Sequence, residues 1–292
     1  MKVLNLFLHG LFLAALGFFF RDELYSLTVS WMKDPNYQHG FFVLAISIYL
    51  IFHGLNKNSK NFSSVKHNVM NGWYDKENWK NSFTLWIVVM GLSAIGLYKG
   101  VSYLNLITFL LGLRLLGFFF MGKEGSAVLN FPLFYVYLAL PLPGLASITI
   151  YLQRYTAKYV SIFMLKFDDY LSLGYKVWDE GNFLHLPNFS FEIVPECTGI
   201  HSFLTLLALM VLFLGFLRLK IHQKIMIGLL CVPISLLGNF LRIITLIFVA
   251  FSFGQETSLK FWHYGGGLFF FAISLGLEFL VIAFFQRLNR RS

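Results

Sequence analysis

The chain has 292 residues, 57% of them apolar and 19% aromatic, with 13% charged and a formal net charge of +9. Helix-length apolar stretches follow one another, which excludes a water-soluble core and leaves no room for a separate soluble domain. The excess Lys and Arg residues lie in breaks between apolar runs and at the C-terminus, a pattern of membrane topology rather than of nucleic-acid binding.

Crossing about 30 Å of hydrocarbon takes roughly 20 helical residues. In chain order the pattern predicts spans near 3–20, 40–55, 82–98, 103–121, 126–146, 197–217, 225–250 and 265–286. The fold class is therefore all-α, a polytopic integral membrane protein of about eight transmembrane helices forming one domain over 1–292. The first run, Val3 to Phe20, has only Lys2 ahead of it and Arg21-Asp22-Glu23 behind, and it lacks a small-residue cleavage site, so it is read as a helix.

Orientation follows from the breaks. Lys57, Lys60, Lys66, Lys76 and Lys80 fall in the 56–81 connection, Arg218, Lys220 and Lys224 in the 218–224 break, and Arg287, Arg290 and Arg291 in the tail. An even number of spans places all three on the cytoplasmic side. The outer side then receives 21–39, the break near Lys99, the connection 147–196, and 252–264. In the long connection, Tyr151 to Phe167 interleaves Arg154 and Lys158 with apolar residues, as a helix lying in the interface does. After it, Phe189-Ser190-Phe191-Glu192-Ile193 alternates like a strand and Glu180-Gly181-Asn182 signals a turn, so a small outer hairpin is expected to lead into Cys197.

Three polar residues reach one depth when counted from the inner charged edge. At about 1.5 Å per residue, Cys197 lies some 31 Å from Arg218, Arg242 some 27 Å from Lys224, and His263 some 36 Å from Arg287. Cys231 is only about 10 Å in by the same count. It reads as a packing cysteine, and a disulfide between the two cysteines is not expected.

Cys197 stands in Pro195-Glu196-Cys197-Thr198-Gly199-Ile200, where a loop becomes a helix. Helix N-termini favour a thiolate and can hold an oxyanion. Arg242 interrupts the apolar run Pro233 to Phe253, where a cation costs about 2.5–3.5 kcal/mol on insertion scales and so needs a partner or a task. Asn239 is one turn earlier on the same face. Two readings stay open for Arg242: pairing with a carboxylate such as Glu196, or donation to a substrate carbonyl. His263, in Lys260-Phe261-Trp262-His263-Tyr264-Gly265-Gly266-Gly267, is suited to act as base and then acid, with His39 as its competitor. Arg114 and Glu278, ions inside spans at similar depth, are expected to pair and fix the packing.

These residues resemble the exosortase/archaeosortase family of polytopic membrane cysteine transpeptidases. Glu196-Cys197-Thr198-Gly199-Ile200 looks like the family's nucleophile motif, and Asn239-Phe240-Leu241-Arg242-Ile243 looks like its arginine motif. His263 stands at the start of the last helix. Asn36-Tyr37-Gln38-His39-Gly40 is similar to a tyrosine–serine–histidine–glycine stretch of bacterial exosortases, from which Gln38 departs. The resemblance covers about 30–285. It implies a bacterial inner-membrane enzyme, multi-pass, with its site facing the extracytoplasmic side; the histidine at 263 favours the bacterial branch over archaeal relatives.

The resemblance further implies partners: exported proteins with a C-terminal sorting tail made of a short motif, a transmembrane helix and a basic end. Cleavage near the motif and transfer to an acceptor would use Cys197 as nucleophile, His263 as acid/base and Arg242 as oxyanion stabiliser, with Asn239, Glu196, His39 and Tyr37 supporting or binding substrate. No cofactor or metal is expected, and no nucleic acid. Two rivals are a transporter or channel with Arg242 and His263 lining a path, and a metal-dependent hydrolase using Cys197, His263, His39 or His185. Against them stand the lack of paired similar halves and of a two-histidine helical metal motif.

Overall fold

A computed structural model describes the backbone of residues 2–57, 76–171, 174, 176–187 and 189–291; side chains at 2–9, 12, 57, 76–84, 119–125, 171, 261–264 and 291 lie outside the described residues. Most of the 56–81 connection, with Lys60 and Lys66, lies outside them too. The fold is all-α apart from one small sheet, and two compact units divide the chain after Leu142.

The first unit begins with α1 (Lys2–Phe19) and α2 (Arg21–Lys33). The 21–39 stretch, expected as a connection, is thus largely helical: Glu23, Leu27 and Trp31 recur every four residues and form its buried face. A one-turn 3-10 helix, Pro35–Tyr37, leads into α3 (Gly40–Lys57). Helices α4 (Lys76–Lys99) and α5 (Ser102–Ala127) pack side by side across a tight turn in which Gly100 has φ +64°. A side chain at Gly96 would strike Asn105, whose Nδ2 donates to Glu23 Oε1 at 2.6 Å, so the glycine makes room for that buried polar pair.

The expected span 126–146 is not one helix. It breaks into α6 (Asn130–Val136), the 3-10 turn Tyr137–Ala139, and an extended link through Pro141 to Pro143. Prolines cannot continue the hydrogen-bond ladder, and the residue before each is steered away from helix. Seven residues at 1.5 Å each make α6 only about 10 Å long, too short to cross a bilayer.

In the second unit, α7 (Leu145–Leu171) contains the segment read as an interfacial helix. Gln153, Ala157, Val160, Ser161 and Met164 form its buried face. An antiparallel sheet follows, ordered β1 (Trp178–Glu180), β2 (Phe183–His185) and β3 (Ser190–Glu192), with Phe183 opposite Glu192, Leu184 opposite Phe191 and His185 opposite Ser190. Gly181 takes φ +65° in the first turn. The expected hairpin is thus one half of a three-stranded meander. Its inward residues Leu184, Leu186 and Ile193 join Ala157, Val160 and Met164 in a core that includes Cys197.

Beyond the sheet run α8 (Ile200–Phe216), α9 (Ile221–Phe253), the single turn α10 (Gln255–Thr257), a π-helical segment over Ser258–Gly266, and α11 (Gly267–Arg291). A second core joins α8, α9 and α11 through Leu206, Met210, Leu214, Ile227, Cys231 and Ile282. Lipid tails are as apolar as these side chains, so helix contact there depends on close fit. Gly238 supplies one: a Cβ at this position would collide with Ser274 Oγ of α11.

Among the described residues, three helices are long and apolar enough to cross a membrane: Pro35–Asn56, Ile221–Phe253 and Gly267–Arg290. Leu85–Lys99, Ser102–Phe118 and Ile200–Phe216 are shorter apolar helices. This is a multi-pass membrane protein.

Arg114 belongs to the first unit and Glu278 to the second, and each has a neighbour within its own unit. Arg114 Nε donates to Asn130 Oδ1 at 2.6 Å, and the fully buried Glu278 lies against the Cys231 thiol. Both cysteines are free.

Candidate active site

Cys197 ends a 3-10 turn, Pro195–Cys197, that the chain enters from extended Val194. Proline fixes φ for the first residue of such a turn and needs no donor there. Cys197 N–H closes the turn on Val194 O at 2.8 Å, and Thr198 Oγ1 donates to Pro195 O at 2.7 Å. Gly199 then takes φ +85°, a left-handed geometry that a side chain resists, and α8 starts at Ile200. The thiol therefore sits just ahead of the helix rather than within its first turn.

Helix α9 supplies the partners. Asn239 and Arg242, three residues apart, share one face of the helix and both are buried. Asn239 Nδ2 donates to the Cys197 carbonyl at 2.5 Å, and Arg242 Nη2 donates to Cys197 Sγ at 2.8 Å. Cys197 and Arg242 are only 9% and 8% exposed, so the contact forms away from bulk water, where charge interactions are strong. Asn239 thus holds the turn that carries the thiol. A Cβ on Gly199 would come within 3.2 Å of Asn239 Cβ, so the left-handed glycine also permits this close approach.

Of the two readings open for Arg242, the partner found is the thiol. Among the described residues no ion pair joins it to Glu196, which is half-buried beside Cys197. Burial pushes the Cys197 thiol above its ordinary value; Arg242 pulls it down by charge and hydrogen bond, while the Glu196 carboxylate pushes it up. Desolvation dominates, so the resting group is a thiol, and the guanidinium lessens what ionisation costs.

His263 lies within the π-helical segment, and its side chain is outside the described residues. The segment's backbone packs on α9, and a Cβ on Gly267 would sit 3.8 Å from Arg242 Nη1, so the start of α11 runs beside the guanidinium. Stretches of π-helix are rare and frequently occur at functional sites.

Tyr37 and His39 belong to the first unit. There the Tyr37 hydroxyl accepts from Leu142 N–H at 2.7 Å, His39 Nε2 lies 3.4 Å from Leu138 O, and Trp31 Nε1 donates to Ala139 O at 2.8 Å. These side chains occupy backbone groups around the break in the 126–146 stretch, where helical bonding stops. His185, on β2, stacks on Trp178 and lies 3.4 Å from Glu180. Among the described residues no group of three or more His, Cys, Asp or Glu is placed to hold a metal.

Sequence spacing did not indicate Gln153, whose Nε2 donates to Ile193 O at 2.7 Å and ties α7 to the strand leading into Cys197. Its signal was available, as a long polar side chain on the buried face it shares with Ala157, Val160, Ser161 and Met164.

Apolar helices around a buried thiol bonded to a guanidinium define the class: a multi-pass membrane protein with a cysteine–arginine centre. The family is settled by comparison, since the model of the transmembrane exosortases (Exosortase_EpsH) matches residues 31–280, and the chain belongs to that family. Curated proteins and solved structures give no match. Family membership carries a general sorting and processing role at the membrane.

Proposed function

We propose that the protein is a cysteine peptidase/transpeptidase that removes the C-terminal sorting tail of exported proteins and passes them to an acceptor. The observation that carries this reading is the 2.8 Å contact from Arg242 Nη2 to Cys197 Sγ, in a turn held by Asn239.

A resting thiol needs a base. His263 takes the proton from Sγ as sulfur attacks the peptide carbonyl, and Arg242 stabilises the oxyanion that forms. Collapse breaks the C–N bond, with the histidine returning its proton to the leaving amine. An acceptor nucleophile then attacks the thioester, its proton passing to His263 and the sulfur leaving as thiolate. The helical tail must unwind before this chemistry, because intrahelical bonding shields its carbonyls. The basic breaks at 218–224 and in the tail support a site on the extracytoplasmic side of a bacterial inner membrane.

The test is Cys197→Ala in the full-length chain, with tail removal followed on the host's exported proteins that end in an apolar helix and basic residues. Processing is expected to vanish while the protein still inserts, and Cys231→Ala is expected to process normally. Normal processing by Cys197→Ala would end this reading.

A further inference from the structure

The sheet ahead of Cys197 has an open edge. Ile193 N–H bonds to Asn182 O and Leu186 N–H to Phe189 O, both at 2.8 Å, so alternate residues of β3 turn their backbone toward β2. Ser190 and Glu192 turn theirs the other way, out of the sheet. Among the described residues, the outward N–H and C=O of Glu192 have no hydrogen-bond partner. Ser190 O has one distant neighbour: Nε2 of the exposed Gln255, at 3.5 Å. A side-chain amide therefore stands, loosely, where the N–H of a further strand would come.

Three observations identify the occupant of this edge. First, β3 ends at Glu192, and only Ile193 to Glu196 separate it from Cys197, so a chain running along β3 arrives at the thiol. Second, the edge is rigidly backed. Phe189 stacks near Phe191 and Phe251 of α9, and Gln153 holds Ile193 O. Third, Gln255, whose amide lies beside the outer edge of β3, opens the segment that runs through His263 to α11. An exposed strand edge is a template for an extended peptide, and main-chain bonds give such pairing its affinity.

We propose that the outer edge of β3 is a docking strand for the substrate polypeptide. An extended segment of the protein being processed pairs with Ser190 and Glu192, displaces the Gln255 amide, and presents a peptide carbonyl to Cys197. The inference rests on the peptidase reading above and adds how the scissile bond is held unwound: strand pairing replaces the hydrogen bonds the peptide loses on leaving its helix.

Glu192→Pro tests it. Proline removes the outward N–H at a position that contributes no bond to β2, a place where edge strands accept proline. Using the full-length chain in membranes and the host's tailed exported proteins, each tagged beyond its basic end, Glu192→Pro should slow tag loss by roughly tenfold. Asn182→Ala, which removes only the bond from Asn182 Nδ2 to the Glu192 carboxylate, should process like wild type. Iodoacetamide labelling of Cys197 should be equal in both variants. Wild-type tag loss by Glu192→Pro, or an equal fall in Asn182→Ala, would overturn the proposal.

A second measurement does not depend on the proline variant folding. A photo-crosslinker at Ser190, in the Cys197→Ala chain, should join the substrate at residues flanking the scissile bond. Adducts confined to the substrate's apolar helix, or none, would overturn docking on β3. If Cys197→Ala itself still removes tags, the peptidase reading fails; if it is inactive while Glu192→Pro is normal, the docking strand alone fails.

Discussion

Two turns of this chain are built alike and put to different uses. Pro35–Tyr37 and Pro195–Cys197 are both proline-led 3-10 helices, each followed within three residues by a glycine and an apolar helix. In the first, Tyr37 and His39 turn to main-chain groups between Leu138 and Leu142, and a side chain at Gly40 would collide with Trp31. In the second, the groups that meet the turn come from α9, and one bonds a thiol sulfur. A polar side chain that satisfies a backbone carbonyl is serving the fold. A guanidinium set on a buried thiol satisfies little that folding needs, since burying a charge is costly. The local sequence grammar is shared, and the identity of the partner is what differs.

Arg242→Ala should strain this contrast most. If the guanidinium serves catalysis, its loss should lower turnover by about 10²–10³-fold, the range seen when an oxyanion donor is removed. It should also raise the Cys197 thiol further, because Arg242 pulls it down. Iodoacetamide labelling as a function of pH reads this directly. The wild-type rate should keep climbing above neutrality as thiolate accumulates, and the Arg242→Ala curve should lie at higher pH still. An unmoved curve would make the contact incidental. Gly199→Ala comes next. The left-handed conformation should cost about 1–2 kcal/mol with any side chain, and the added methyl presses on Asn239, so thermal stability and processing should both fall. Tyr37→Phe should have the smallest effect, a loss of about 1 kcal/mol from the bond to Leu142 with turnover per folded molecule unchanged. Lost turnover at full stability would erase the distinction between the two turns.

Apolar runs and charged breaks foretold most helices to within a few residues, as at 197–217 against Ile200–Phe216 and 225–250 against Ile221–Phe253. They failed at 126–146, where hydropathy reads composition and cannot register that Pro141 and Pro143 stop the ladder. Residues 21–39 read only as a connection between spans, and the helical period of Glu23, Leu27 and Trp31 within them went unused. Depth counting brought Cys197 and Arg242 to one level because both counts run almost wholly along helices, α8 and α9. It could not find that Asn239 grips the Cys197 carbonyl, nor that Arg114 bonds Asn130, since these depend on helix rotation and on side-chain placement that a depth count does not carry.

The notch at Gly238 bears on the same centre from four residues below Arg242. Because Gly238 has no side chain, Ser274 of α11 seats directly against α9 there, where a methyl group would have to displace it. The helix bearing the guanidinium and the helix that follows the histidine's segment thus meet at close quarters, like two rulers laid edge to edge. A bulkier residue at 238 should therefore part the two rods and loosen the Arg242 contact with Cys197 one turn further along.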